Sequence, residues 1–110
     1  MRRSPRGDSA HPPRARMSFT IPHDHPALPG HFPGNPLVPA VVLIDHASEA
    51  AREALALGPL AAILRAKFLA PIRPGEVVHL AFAPRGEGVV SITGTRGEAT
   101  AFTIEARFAA

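Results

Sequence analysis

Two residues of this chain have the types and the spacing to move protons. His31 lies in the stretch Gly30-His31-Phe32-Pro33-Gly34-Asn35-Pro36-Leu37-Val38-Pro39, and Asp45 follows fourteen positions later. An imidazole titrates near neutral pH and is the natural general base, while a carboxyl kept protonated by desolvation is a general acid. Pro33, Gly34, Pro36 and Pro39 leave the backbone around His31 little freedom. A stiff loop suits acid/base work, because the geometry must be set before the substrate arrives. There is no cysteine, so neither a disulfide framework nor thiolate chemistry is available.

The elements that must hold these two residues can be read from pattern. Ser18 to Ile21 is a short strand, and 23–29 (HDHPALP) is a polar, proline-broken loop. A helix starts near Pro39, which suits a first helical turn, and runs to Leu57 without an interior Gly or Pro. Gly58-Pro59 is expected to end it, glycine serving as the cap. Asp45, His46, Ser48, Glu49, Arg52 and Glu53 interrupt an otherwise apolar helix, which predicts burial over most of its circumference. Four strand-like runs follow: Leu60 to Leu69, Val77 to Pro84, Val89 to Thr95 and Ala99 to Phe108. Pro71-Ile72-Arg73-Pro74-Gly75, Arg85-Gly86-Glu87-Gly88 and Arg96-Gly97-Glu98 separate them. One early strand, one long helix and an antiparallel meander give an α+β fold.

Composition narrows the function classes. The net charge is +3, but residues 1–16 carry five arginines against Asp8, so residues 17–110 come to −1. The folded part is therefore not basic, and Tyr and Trp are absent. No nucleic-acid partner is expected. Residues 1–16 read as a disordered basic tail, and residues 17–110 as one domain with a thin core that favours association with a second copy. No apolar run approaches the ~20 residues of a membrane span, and no secretory h-region is seen, so a cytoplasmic protein is expected. His23 and His25 form a His-x-His pair that could bind metal with His31, but metal sites show more ligands and a supporting carboxylate at fixed spacing, so an ordinary loop and no metal are expected.

The run from His31 to Ala40, with Asp45 beyond it, resembles the signature of the 3-hydroxyacyl-acyl-carrier-protein dehydratases of the FabA/FabZ type. Lys67-Phe68-Leu69-Ala70-Pro71-Ile72-Arg73-Pro74-Gly75-Glu76 is similar to that family's segment of a Phe-bearing strand and Pro-x-x-Pro-Gly-acid turn. The resemblance spans 21–108. It implies a hotdog fold, a curved antiparallel sheet wrapped around one long central helix. It further implies reversible loss of water from a (3R)-hydroxyacyl thioester on acyl carrier protein, giving the trans-2-enoyl thioester in fatty-acid or polyene-type biosynthesis. By position, His31 and Asp45 match the catalytic pair. In the family they come from different subunits, so a homodimer with shared sites is implied. The N–H groups around Ala40 and Val41, after Pro39, would receive the developing enolate oxygen. The acyl chain would lie between helix and sheet, with Phe32, Phe68 and Glu49 also facing substrate. No cofactor is required, since phosphopantetheine arrives on the substrate.

Two positions depart from the family. Ala40 stands where glycine is usual, and Glu49 where glutamine is usual. Asp45 and Glu49 share a helix face. Their repulsion would help keep one carboxyl protonated, or Arg52 would neutralise Glu49 and remove the effect. Lys67, Arg73 and Arg85 are candidate docking residues for the acidic carrier protein. Two rival functions fit the same frame: a hotdog acyl thioesterase, which would not need His31, and a non-catalytic acyl-binding or scaffolding subunit.

Overall fold

The computed structural model describes residues 15–28 and 37–110. One helix, α1 (Ala40–Leu55), lies in the chain between β1 (Ala15–Thr20) and β2 (Leu60–Phe68). β3 (Val77–Gly86), β4 (Val89–Arg96) and β5 (Ala99–Phe108) complete an antiparallel sheet of order β1-β3-β4-β5-β2. Alternation along β3 and β4 turns Val78, Leu80, Phe82, Val90 and Ile92 to one face, where they are buried. Against that face α1 packs Val42, Leu43, Ala47 and Ala51. Their spacing is that of one helical stripe. Each large core side chain buried this way contributes ~1.5–3 kcal/mol.

β3, β4 and β5 form the expected meander, but β2 does not join it beside β3. It pairs instead with β5, Lys67 opposite Thr103 and Phe68 opposite Phe102. Pro71 and Pro74 make the β2–β3 connection unsuited to a tight hairpin, so it crosses the end of the sheet instead. β2 is thus an edge strand. The far edge, β1, begins at Ala15 rather than Ser18. Ala15 and Arg16 pair with Phe82 and Ala81, so the sheet takes two residues assigned above to the tail. On β4, Gly94 pairs with Phe102 of β5. A Cβ there would stand 2.3 Å from the Phe102 ring, and the missing side chain lets that ring lie flat on the sheet.

The helix departs from expectation at its end and in its burial. It stops at Leu55, and Ala56 takes the left-handed conformation (φ 54°, ψ 51°) that glycine was expected to supply. Leu57 N–H then donates to the Arg52 carbonyl at 3.0 Å. Gly58 serves packing, because a Cβ there would meet the Ala109 carbonyl oxygen at 2.3 Å. Only one side of α1 is covered. Ala40, Val41, Asp45, His46, Glu49 and Glu53 are exposed, since one five-stranded sheet reaches one face of a helix. Ser48 is the exception on the covered side: its Oγ is buried and, among the described residues, has no hydrogen-bond partner. A buried hydroxyl without a partner costs stability, and alanine is the better helix former. Ser48→Ala is expected to raise stability by ~1 kcal/mol, a few degrees in Tm for a domain of this size. A thermal melt showing Ser48→Ala below the parent protein would mean that the hydroxyl is satisfied in solution.

Candidate active site

The site is best built from the start of α1. Pro39 is the cap residue, extended at φ −63° and ψ 148°, and the helix proper begins at Ala40. The Pro39 carbonyl accepts from Val42 N–H at 3.0 Å and from Leu43 N–H at 3.3 Å. Among the described residues, the N–H groups of Ala40 and Val41 find no acceptor, as the first turn of any helix requires. They therefore carry the positive end of the helix dipole outward. Beside them a cleft of about 250 Å³ is lined by Val38, Ala40, Leu43, Phe68, Leu69 and Ile72, together with Ala70 and Pro71. Its walls are apolar, and Ala40, the first residue of the helix, is one of them. Phe68 is 40% exposed, and its ring leans on Phe102 with centroids 6.0 Å apart.

The 69–76 connection holds this cleft in register. Val38 N–H donates to the Ile72 carbonyl at 2.8 Å, which fixes the approach to α1. Gly75 N–H donates to the Ile21 carbonyl at 2.9 Å, which fixes the exit from β1. The 22–38 connection that contains His31 is thus tied to one short turn at both ends. Within the turn, Arg73 N–H donates to Glu76 Oε1 at 2.7 Å.

Asp45 lies elsewhere. Five residues beyond Ala40, it is rotated by ~140° around the helix. It lines a second cleft, of about 370 Å³, with Met17, Phe19, His46, Glu49 and Glu53. His46 stacks on Phe19 at 5.1 Å, and His25 approaches it at 6.4 Å. His25 Nδ1 accepts from Ala27 N–H at 3.0 Å, which leaves that nitrogen occupied. The open question about Glu49 is resolved by Arg52. Its Nη1 donates to Glu49 Oε1 at 3.1 Å and Oε2 at 2.9 Å, while its Nε donates to the Gly58 carbonyl at 3.1 Å.

The expected site residues therefore divide. Ala40 and Phe68 line the apolar cleft, Pro39 caps the helix beside it, and Val41 shares a helix stripe with Asp45 and Glu49, which line the second cleft near β1. His31 and Phe32 lie outside the described residues. Lys67, Arg73 and Arg85 are exposed. Sequence reading missed the Ile72 carbonyl and Arg96, whose Nη1 donates to the Pro71 carbonyl at 2.9 Å. Twenty-five residues separate the two, and Arg96 reads locally as ordinary turn chemistry.

A family model described as ApeI-like, ApeI dehydratase, matches residues 7–103. The 3-hydroxyacyl-acyl-carrier-protein dehydratase FabZ of Levilactobacillus brevis is 33% identical over 91 residues, 72% of this chain and 62% of that protein. The chain spans about three fifths of the length of that relative. Among solved structures, the dehydratase heterocomplex ApeI:P from Xenorhabdus doucetiae superposes with a TM-score of 0.76 at 24% identity, over 94% of this chain and 93% of that one. This likeness shows the hotdog fold. An uncharacterized protein from Erwinia carotovora subsp. atroseptica gives a TM-score of 0.69 at 27% identity, over 86% and 81% of the two chains.

Arg52 closes the helix end and holds Glu49 at once. Arg52→Ala is expected to lower stability by ~1 kcal/mol, because a last-turn cation and its bond to the Gly58 carbonyl are lost together. Chemical denaturation checks this. A midpoint equal to the parent protein's would show that solvent replaces both contacts without cost.

Proposed function

Because the chain belongs to the ApeI-like dehydratase family, we propose that it removes water from a (3R)-hydroxyacyl thioester carried on acyl carrier protein, in fatty-acid or polyene-type biosynthesis. The observation that carries this reading is the apolar cleft lined by Ala40, at a helix start whose Ala40 and Val41 N–H groups are unbonded among the described residues. A thioester carbonyl held by those groups would place its acyl chain against Val38, Leu43 and Phe68.

The proposed chemistry balances within the substrate. His31 takes the proton from C2, and the electrons of that C–H bond form the C2–C3 double bond. The C3–O bond breaks as Asp45 gives its proton to the departing hydroxyl, and water leaves. Negative charge that develops on the thioester oxygen is held by the Ala40 and Val41 N–H groups. The methyl of Ala40 adds bulk at the rim but keeps the donor. No cofactor takes part, since the pantetheine arm comes with the substrate.

Asp45 and the apolar cleft lie on different flanks of one α1, so the reading needs two copies of the chain. In the proposed homodimer the acid of one copy completes the cleft of the other. Two exposed features support this. β2 is an open edge nine residues long, with Leu60, Leu64 and Phe68 exposed. Val41, 63% exposed, shares a stripe with Asp45 and Glu49 on the uncovered side of α1. Such a strand edge and apolar spot normally meet a partner. Lys67, Arg73 and Arg85 would meet the acidic carrier.

His31→Ala and Asp45→Asn should each lower turnover by at least ~100-fold while leaving the oligomer intact. Unfolding and refolding the two variants together should restore about a quarter of parental activity, since half the dimers are then mixed and each holds one intact site. Mass analysis of the products reads the reaction directly. Free acid and thiol in place of enoyl thioester would make the protein a thioesterase. Acyl-carrier binding without turnover would make it a non-catalytic subunit. Full activity in His31→Ala would overturn the assignment of the base.

A further inference from the structure

The turn that ties the site together is itself held from the end of the central strand, β4. Arg96 closes β4, and its guanidinium reaches across to the β2–β3 connection. Its Nη1 donates to the Pro71 carbonyl at 2.9 Å and lies 3.7 Å from Glu76 Oε1. That carboxylate in turn accepts from Arg73 N–H. One cation therefore grips the turn at both its beginning and its end. Pro71 and Ile72 are walls of the apolar cleft, and the Ile72 carbonyl holds Val38, one residue before the helix cap. We propose that Arg96 is a positioning residue for the reaction: it clamps the Pro71–Glu76 turn, and through it sets the start of α1 and its two free N–H groups against the cleft.

The chemistry favours this role for a guanidinium in particular. One nitrogen, Nη1, meets both the backbone carbonyl and the carboxylate, and the planar group behind it fixes the direction of its two N–H bonds, where an ammonium is a freely rotating point charge. The Pro71 carbonyl belongs to a connection without ladder partners, so the bond also satisfies an acceptor that the sheet leaves open. The Arg96 side chain is 30% exposed and Glu76 32%. Such an ion pair adds little to global stability, which separates its effect on geometry from its effect on folding. Displacements of about 1 Å at a reacting centre can cost up to ~100-fold in rate.

The inference rests on the dehydratase reading, and its test keeps the two apart. Amide hydrogen exchange reads the clamp without any substrate. In the full chain, Arg96→Ala should speed exchange at Val38, which donates into the turn, and at Gly75, which donates out of it, by ~10-fold, with the central β4–β5 amides unchanged. With a 3-hydroxyacyl thioester, Arg96→Ala should lower kcat by ~10-fold and change KM by less than ~3-fold. Arg96→Lys should fall between parent and alanine variant in both readouts, because it restores charge without the planar group that aims the donors. Unchanged exchange at Val38 and Gly75 overturns the clamp whatever the kinetics. Faster exchange with kcat within twofold of the parent overturns the link to catalysis. A lysine variant equal to the parent in both readouts overturns the requirement for a guanidinium. A parent protein that dehydrates no 3-hydroxyacyl thioester overturns the functional reading, and the exchange experiment still decides the clamp.

Discussion

Val42, Leu43, Ala47 and Ala51 hold α1 against the concave face of the sheet, and the same helix carries more apolar surface than that face can cover. Sixteen residues of mostly Ala, Val, Leu and Ile form a stable helix only where packing rewards them. Here packing rewards one side. Val41 on the other side, and the apolar residues of β2 beyond the helix's reach, keep their exposed area. A small domain can tolerate that area in isolation but gains by hiding it. The proposed second copy would relieve this imbalance and bring the acid to the cleft by the same contact.

The cleft depends on a different kind of interaction. Its floor and walls are apolar, yet a handful of backbone hydrogen bonds set its shape. Ile72 to Val38 and Gly75 to Ile21 are bonds between segments that no regular ladder joins. Proline-rich stretches have few donors of their own, so the few bonds that remain carry the alignment. Arg96 and Glu76 add charge-assisted support from the sheet. This frame fixes the start of α1, where the Ala40 and Val41 N–H groups have no acceptor among the described residues.

Much of this was legible from pattern. The strand boundaries at Leu60, Val77, Val89 and Ala99 coincide with the expected ones, because Gly and Pro mark the turns and period-two alternation marks the covered face. α1 was legible from its Ala-Leu composition and missing breakers, though its end was not. Ala56 adopts a conformation that glycine would take more readily, because Arg52 and the packing of Gly58 against Ala109 stop the helix early. The place of β2 in the sheet was not legible either. Sequence order favours a neighbour-to-neighbour meander, and only the crossing of the proline turn sends β2 to the opposite edge.

By itself, the sequence determined the element types, the helix that bears Asp45 and the membership of a dehydratase family, since local propensity and motif spacing are properties of neighbouring residues. The tertiary structure decided which of those residues share a surface. It set Asp45 and the apolar cleft on different flanks of α1, gave Glu49 to Arg52, and brought Arg96 to Pro71 across twenty-five residues. These are facts about rotation around a helix and closure across a sheet. They depend on how the elements pack, which no local pattern encodes.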